Sequence, residues 1–572
     1  MANISEALAI ALASHRAGQC DHAAEICRRI VAAEPEQAEA WHLLGVMALE
    51  RGELAEAEAA FRRAIASDWP TDAPHRAEFH NSLGILLKRQ GRLGAAVEAY
   101  RQAVALHPDY AEGHYNQAIS LLAQGRLDDA LAAYDQACQL QPHGLLAHSN
   151  RLLALQYHPA STPATLAAAH AEFDRRYAAP LRATWRPHTN PRDPDRPLRL
   201  GFVSPDLCRS PVGFFLTRML ENLEPRQADV VCYSHRTVED EMTERIRRAA
   251  AEWREVHALG DEQLAEQIRA DRIDILFDLA GHTGGNRLLT FARRPAPIQI
   301  TWLGYACTTG LSAMDYLLAD AREVPPALET HYVERVLRMP DSYVCFLPPA
   351  DAPSVGPLPA LGAGQVTLGS FNNPAKITPQ VITAWSDVLR RVPGARLLLK
   401  YFGLDDPDTA ARFRSRFAEC GIAGERIELS GGAPREELMH CYQQVDLALD
   451  TFPYNGGLTT CEALWMGVPV VTFPGETFAS RHSLSHLTSV GLTETIASGR
   501  NEYVELAVRL AGDLPRLAAL RAGLRDRVAR SPLCDGPRFA ANLLAVLREA
   551  WRGWVGGRTP GTSARAKLRL SK

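Results

Sequence analysis

The stretch DTFPYNGGLTTCEALWMGVPVVTFPGE, residues 450–476, decides how the C-terminal half of this chain folds. It begins inside an apolar run, LALDTF (447–452), and turns through the glycine pair Gly456 and Gly457. It then enters a helical pattern at Leu458, Thr459 and Thr460, and restarts as PVVTF (469–473). A strand that turns tightly into a helix and then into another strand is the repeating unit of a parallel sheet, whose ligands gather beyond the carboxyl ends of the strands. Backbone amides at the helix start and the hydroxyls of Thr459 and Thr460 suit phosphate oxygens, and Glu462 is placed to hydrogen-bond ribose hydroxyls. A well-capped helix after a tight turn would also explain the glycines and threonines, but it leaves PGE (474–476) without a role.

The same alternation extends to both sides. VTLGSF (366–371), ARLLLKY (395–401) and RIELSG (426–431) complete one set of strands, behind a Pro/Ala/Gly-rich spacer near 348–364. An earlier set consists of LRLGFVS (198–204), VVCYSH (230–235), IDILFDLAG (273–281), IQITWLGY (298–305) and DYLLAD (315–320). Short apolar runs separated by amphipathic helices predict two parallel, doubly wound sheets in tandem, with a cleft between them.

Two more loops in this half can carry chemistry. FNNPAKIT (371–378) follows a predicted strand and offers Lys376 as a cation at a helix start, where it could meet a diphosphate; the competing reading is a solvated loop lysine. DLAGHTGGNR (278–287) ends a predicted strand in His282, flanked by glycines and Asn286. This suggests a donor or acceptor contact, against the ordinary reading of an incidental loop histidine.

The N-terminal part is built differently. Trp41, Leu44, Gly45, Gly52, Ala57, Phe61 and Ala64 align with Leu83, Gly84, Leu87, Gly91, Ala96, Tyr100, Ala103 and Pro108. His114, Ala118, Leu121, Gly125, Ala130, Tyr134, Ala137 and Pro142 repeat the pattern 34 residues on, and Gly18, Ala23 and Pro35 mark a degenerate first copy. That is the tetratricopeptide period. Small residues let the first helix of each unit approach the second, the aromatic fills the space between them, and proline closes the unit. TDAPH (71–75) is a short insertion that a junction loop absorbs at small entropic cost. The competing reading is an ordinary helical bundle. Residues 145–157 read as one further helix, and a helical stretch at 163–177 leads into the linker RPHTNPRDPDRP. Repeat arrays form concave grooves that bind extended peptides or partner proteins.

Composition narrows the class. At 572 residues, 46% hydrophobic and 22% charged, the chain is globular and of several domains, roughly three or four. A net charge of −4 gives no basic field for nucleic acid, although the tail after Gly556 is locally basic and reads as flexible. The N-terminal segment reads as an amphipathic helix and not a signal peptide, and no window offers the ~20 apolar residues of a membrane span. Eleven scattered cysteines without paired zinc spacing predict reduced thiols in a cytoplasmic protein.

Taken together, seven motifs resemble the protein O-linked N-acetylglucosamine transferase and SPINDLY family. They are LRLGFVSPDL, DLAGHTGGNR, RRPAPIQITWLGY, TTGLSAMDYLLAD, GSFNNPAKITP, LDTFPYNGGLTTCEALWMGVPVVTFPGETFASR and SPLCDG, and the likeness runs from the repeats to about Trp554. The resemblance implies a tetratricopeptide α-solenoid followed by an α/β GT-B glycosyltransferase with two Rossmann-like domains. It implies inverting transfer from a nucleotide diphosphate sugar to protein Ser or Thr, with no metal and no cofactor. It also puts Asn373 at the diphosphate or sugar, Ala433 and Arg435 in the loop that holds the base, and Glu462 at the ribose. Ser210 stands where many members have a histidine proposed to help the acceptor or catalysis. Leu438 and Cys441 stand where animal members carry His and Arg. FNNPAKITP and SPLCDG look closer to SPINDLY, whose plant members use GDP-fucose, and PGETFASR looks closer to the N-acetylglucosamine transferases.

The expected division is a repeat array at 1–158, a helix and linker at 159–196, and a first Rossmann-like domain at 197–346. A spacer at 347–365, a second Rossmann-like domain at 366–555 and a basic tail at 556–572 follow. The expected partners are protein or peptide acceptors along the repeat groove and a nucleotide-sugar donor, UDP-N-acetylglucosamine ahead of GDP-fucose, with no nucleic acid and no membrane; self-association stays open. Two other readings stand beside this one: a non-catalytic repeat scaffold with a degenerate sugar-nucleotide module, and an enzyme acting on a small-molecule or lipid-linked acceptor.

Overall fold

The computed structural model describes residues 4–68 and 72–557, so most of the basic tail and part of the junction insertion lie outside the described residues. From Ile4 to Leu155 the chain is a run of paired helices. The repeat pattern has a direct steric reason. A Cβ on Gly45 would stand 2.5 Å from the Phe61 ring, and one on Gly84 would stand 2.5 Å from Tyr100. In these two units the first helix thus packs the aromatic of the second against bare backbone, Ala118 takes the same place opposite Tyr134, and Phe61, Tyr100 and Tyr134 are all buried. After helix Pro163–Phe173 and two short helical turns, the linker runs extended into the first sheet. Arg196 pins it there by pairing with the buried Asp274 at 2.6 Å.

That sheet contains β1 (Leu198–Ser204), β2 (Ala228–Ser234), β3 (Glu252–Glu255), β4 (Ile275–Asp278), β5 (Ile298–Thr301), β6 (Tyr316–Asp320) and β7 (Arg335–Met339). Its order is 3-2-1-4-5-6-7 and every pairing is parallel. The second holds β8 (Thr367–Ser370), β9 (Arg396–Lys400), β10 (Ile427–Ser430), β11 (Leu447–Leu449) and β12 (Val470–Val471), in the order 10-9-8-11-12, again parallel. All ten strands read from the sequence are present. β3 and β7 went unread because β3 (EWRE) has no apolar run and β7 (RVLRM) is interrupted by arginines; both lie at sheet edges.

In each sheet the winding reverses once, between β1 and β4 in the first and between β8 and β11 in the second. Loops leaving adjacent strands there go to opposite faces and open a crevice.

The last helix, Gly536–Val555, departs from the expected division at 366–555. Phe539, Leu543, Leu547 and Trp551 recur every four residues and are buried. Phe539 stacks on Trp302 of the first domain with ring centres 6.1 Å apart, and the Trp551 indole N–H donates to the Asp193 carbonyl at 2.9 Å. The apolar stripe of this helix thus covers the first domain, and the chain crosses the cleft twice.

Candidate active site

Lys376 sits one short turn beyond β8, at the reversal of the second sheet. Asn373 starts that turn by accepting the Ala375 N–H at 3.0 Å through its side chain, and Pro374 follows. The Lys376 ammonium donates to the Asn455 carbonyl at 2.8 Å and lies 4.2 Å from the centre of the Tyr454 ring. It faces the cleft but is otherwise enclosed, and this desolvation lowers its pKa from 10.5 to about 8, opposed by the carboxylate of Asp450. Asp450 is buried beneath the glycine turn, where it accepts the Gly456 N–H at 2.7 Å and the Thr472 hydroxyl at 2.6 Å. A Cβ on Gly456 would come within 2.6 Å of the Thr460 hydroxyl, so this turn closes only around glycine.

Helix Leu458–Trp465 starts from the turn. Its N-cap is Gly457, which has no side chain to take up the first N–H groups. Gly457, Leu458 and Thr459 line the cleft, with the Thr459 hydroxyl on the Asn372 side-chain oxygen at 3.1 Å. A helix start and a lysine facing one space favour an anion between them.

At the other end, Arg435 and Glu462 form a buried pair, Nη2 to Oε1 at 3.1 Å, with the guanidinium 3.2 Å from the centre of the Phe214 ring. The pair is offset: none of Nε, Nη1 and Nη2 of Arg435 has a hydrogen-bond acceptor, although all three are buried. Donors left in this state mark a place for a missing acceptor. Burial pushes Glu462 up to about 7, against the pull of Arg435.

These groups share one cavity of about 730 Å³ between the two sheets. Its walls include Asn373, Lys376, Ala433, Arg435, Leu458, Thr459 and Glu462 from the second domain and Ser210 from the first. The repeat array also reaches it. Tyr157, just past the last repeat-like helix, lines the cavity with its ring 5.0 Å from that of Tyr454.

Two expected site residues are placed elsewhere. His282 is wholly buried, with Nδ1 on the Ser149 hydroxyl at 3.1 Å and Nε2 on the Thr309 carbonyl at 2.8 Å. Its ring packs edge-on against Phe173 at 4.6 Å, and burial drives its pKa well below the ordinary imidazole range. It ties the repeat array to the first sheet, and the expectation of a donor or acceptor contact is corrected accordingly. Thr460 points into the protein: its hydroxyl donates to the Gly456 carbonyl at 3.1 Å and pairs with Ser483 at 2.8 Å. The threonine that faces the cavity is Thr459 alone, because neighbouring residues on a helix point about 100° apart. Ser210 lines the cavity, but its hydroxyl is engaged as an N-cap, accepting the Gly213 N–H at 3.0 Å and donating to the Asp206 carbonyl at 2.7 Å.

The cavity residues not foreseen include Tyr157, Tyr343, Tyr454 and His482. Tyr454 lies within the long motif 449–481 and His482 directly follows it; Tyr157 ends a segment read as a helix, and Tyr343 lies near the end of the expected first Rossmann-like domain, past the last strand read there.

Two parallel sheets, joined by a long C-terminal helix and facing each other across a cavity with Lys376 and a helix start at one end and the Arg435–Glu462 pair at the other, have the two-domain architecture of a glycosyltransferase. The sequence matches the model of glycosyl transferase family 41 over residues 159–346 and 360–543, and the chain belongs to that family. Residues 8–73 and 81–144 match a tetratricopeptide repeat model. A protein of Solanum lycopersicum named as a probable UDP-N-acetylglucosamine–peptide N-acetylglucosaminyltransferase SPINDLY is 39% identical over 419 residues, which make up 72% of this chain and 44% of that protein. The probable UDP-N-acetylglucosamine–peptide N-acetylglucosaminyltransferase SEC of Arabidopsis thaliana is 30% identical over 374 residues, 64% of this chain and 38% of that one. The matched region thus spans less than half the length of these curated relatives. Among solved structures, a lysine-to-methionine variant of the Thermobaculum terrenum O-GlcNAc transferase superposes with a TM-score of 0.82 at 36% identity, covering 97% of this chain and 98% of that one.

Proposed function

We propose that this chain transfers N-acetylglucosamine from UDP-N-acetylglucosamine to serine or threonine hydroxyls of proteins, with inversion at the anomeric carbon and without a metal. The observation that carries the proposal is Lys376: a desolvated ammonium fixed by Asn455 and Tyr454 opposite the start of helix Leu458–Trp465. A charge kept in so costly a place is suited to a departing diphosphate, whose developing negative charge it stabilises as the glycosidic bond breaks.

What lines the cavity supports inversion and metal independence. Its one carboxylate, Glu462, is held by Arg435. No carboxylate is therefore free to form a covalent sugar intermediate, and no acidic pair is present among the lining residues to seat a divalent ion. This lining supports a single displacement assisted by Lys376 and the helix amides. The names of the Solanum lycopersicum and Arabidopsis thaliana relatives favour the N-acetylglucosamine donor and a peptide acceptor.

One observation favours GDP-fucose instead. The three guanidinium nitrogens of Arg435 that lack an acceptor, beside the apolar Leu438, suit the paired acceptors of a guanine edge. Calorimetric titration of the full chain with UDP and with GDP separates the donors. Nucleotide release from both sugar nucleotides, with a pool of Ser- and Thr-containing peptides present, tests transfer itself. Release from neither donor would remove the enzymatic reading and leave a repeat scaffold.

A further inference from the structure

The cleft described above has a place for the donor but no assigned group to take the acceptor's proton. Ser210 is engaged as a helix cap, Glu462 is paired with Arg435, and Lys376 is needed as a cation. The other ionisable groups in the walls are arginine, lysine and tyrosine, all protonated near neutrality, except one histidine.

That histidine is held in an unusual way. His482 begins the helix His482–Val490, directly after the short turn Phe478–Ser480, and is 5% exposed. Its Nδ1 meets the carboxylate of the fully buried Glu323 at 3.1 Å and the Tyr343 hydroxyl at 2.9 Å. Its ring is stacked on Tyr343 and flanked by Tyr454, the residue that also carries the Lys376 ammonium. Nε2 has no hydrogen-bond partner among the described residues, and the side chain forms part of the cavity wall. Burial and the nearby Asp320 push the Glu323 carboxyl well above the ordinary carboxylate range and Arg481 pulls it back; in its ionised form it takes the Nδ1 proton of His482 and leaves the lone pair of Nε2 to the cleft. Two domains are needed to build this arrangement, because Glu323 and Tyr343 come from the first and His482 from the second.

We infer that His482 is the general base of the transfer reaction, oriented by Glu323 and Tyr343. This rests on the glycosyl-transfer reading above. In the step, the acceptor hydroxyl oxygen bonds to the anomeric carbon, and its proton passes to Nε2. The bond from that carbon to the diphosphate oxygen breaks, and its electron pair leaves with the nucleoside diphosphate beside Lys376. His482 is a catalytic residue in this scheme, and Glu323 is a positioning residue.

The groups facing His482 are Glu323, Tyr343, Tyr454, Lys376 and His486, with Arg481 beside Glu323. Burial, His486 and Lys376 together keep the imidazole neutral at physiological pH, which is the form a base requires.

The test uses the full chain with UDP-N-acetylglucosamine and GDP-fucose in separate arms and a pool of Ser- and Thr-containing peptides as acceptor. His482→Asn keeps an amide N–H where Nδ1–H stands and removes Nε2. A general base supplies roughly 10²- to 10⁴-fold, so kcat should fall by that factor while the Kd for the nucleoside diphosphate moves less than about threefold. The acid limb of the wild-type pH–rate profile, below the ordinary imidazole range, should vanish in the variant. Glu323→Gln should lower kcat by a smaller factor and shift that limb without abolishing it. An active wild type whose His482→Asn variant keeps its kcat and acid limb overturns this assignment alone. A wild type that turns over neither donor overturns the transfer reading and this assignment with it. Loss of nucleotide binding together with kcat in His482→Asn would make the residue structural and likewise overturn the inference.

Discussion

Replacing Lys376 by methionine should stabilise the free protein while destroying its activity. Methionine keeps the stem and the contact with Tyr454 and removes the ammonium. Burial takes that ammonium from 10.5 to about 8, and each tenfold change in proton affinity corresponds to about 1.4 kcal/mol, so its enclosure costs at most about 3.5 kcal/mol. Because one side opens to the cavity, we take about 2 kcal/mol as the expected gain, or a rise of roughly 2–5 °C in the melting of the catalytic half.

The pH dependence gives a stricter test. The folded-state pKa lies below the unfolded one, so between pH 8 and 10.5 the unfolded chain binds more protons and the wild type gains stability as pH rises. The gap between variant and wild type should therefore be full at pH 7 and close by about pH 10.5. Urea unfolding of both proteins at pH 7 and pH 10 measures it. Saturating nucleoside diphosphate should reverse the ranking, since only the wild type keeps its full anion site. A variant less stable than wild type at pH 7, or a gap unaffected by pH, refutes the claim that this cation is held desolvated for an anion.

Four further outcomes are expected. In turnover assays Lys376→Met should lower kcat by roughly 10²- to 10³-fold, the loss seen when a transition-state charge donor is removed. Arg435→Met leaves the buried Glu462 without its partner and should weaken nucleotide binding at least about tenfold in calorimetry, with the Glu462 pKa, already about 7, rising further in a carboxylate-resolved NMR titration. Gly84→Ala drives a methyl into the Tyr100 ring and should cost about 1–3 kcal/mol in the helical transition followed by circular dichroism, with nucleotide affinity unchanged. His282→Ala removes the link from Ser149 to Thr309 and should cost on the order of 2 kcal/mol in thermal stability while leaving the Kd for nucleotide as it was; a large loss of affinity would return His282 to the site.

No helix among the described residues is long and apolar enough to cross a membrane. The repeat array docks on the catalytic half at several points, including the Gly94 N–H, which donates to Asp406 at 3.3 Å, and the turn at Gly125, whose Cβ position lies 2.7 Å from the Pro374 carbonyl oxygen. The loop that carries Lys376 is therefore backed by the array.

The sequence by itself was enough to determine the repeats, the two parallel sheets and the loops from which Lys376, Thr459 and Glu462 project. The reason is that these depend on local periodicity: a small residue (Gly45, Gly84, Ala118) opposite an aromatic in the repeats, apolar runs followed by a turn and a helix start in each α/β unit. Rotation along a helix separates Thr459 from Thr460, and the caps and contacts around Ser210 and His282 engage their polar atoms, so only the folded backbone could show which of them meets the cleft. The tertiary structure alone decided the partners across domains. Glu323 and His482 lie 159 residues apart and become neighbours only because the two sheets face each other. The last helix returned to the first sheet because its stripe of Phe539, Leu543, Leu547 and Trp551 needed an apolar surface, and a periodic pattern states that need without saying which surface meets it.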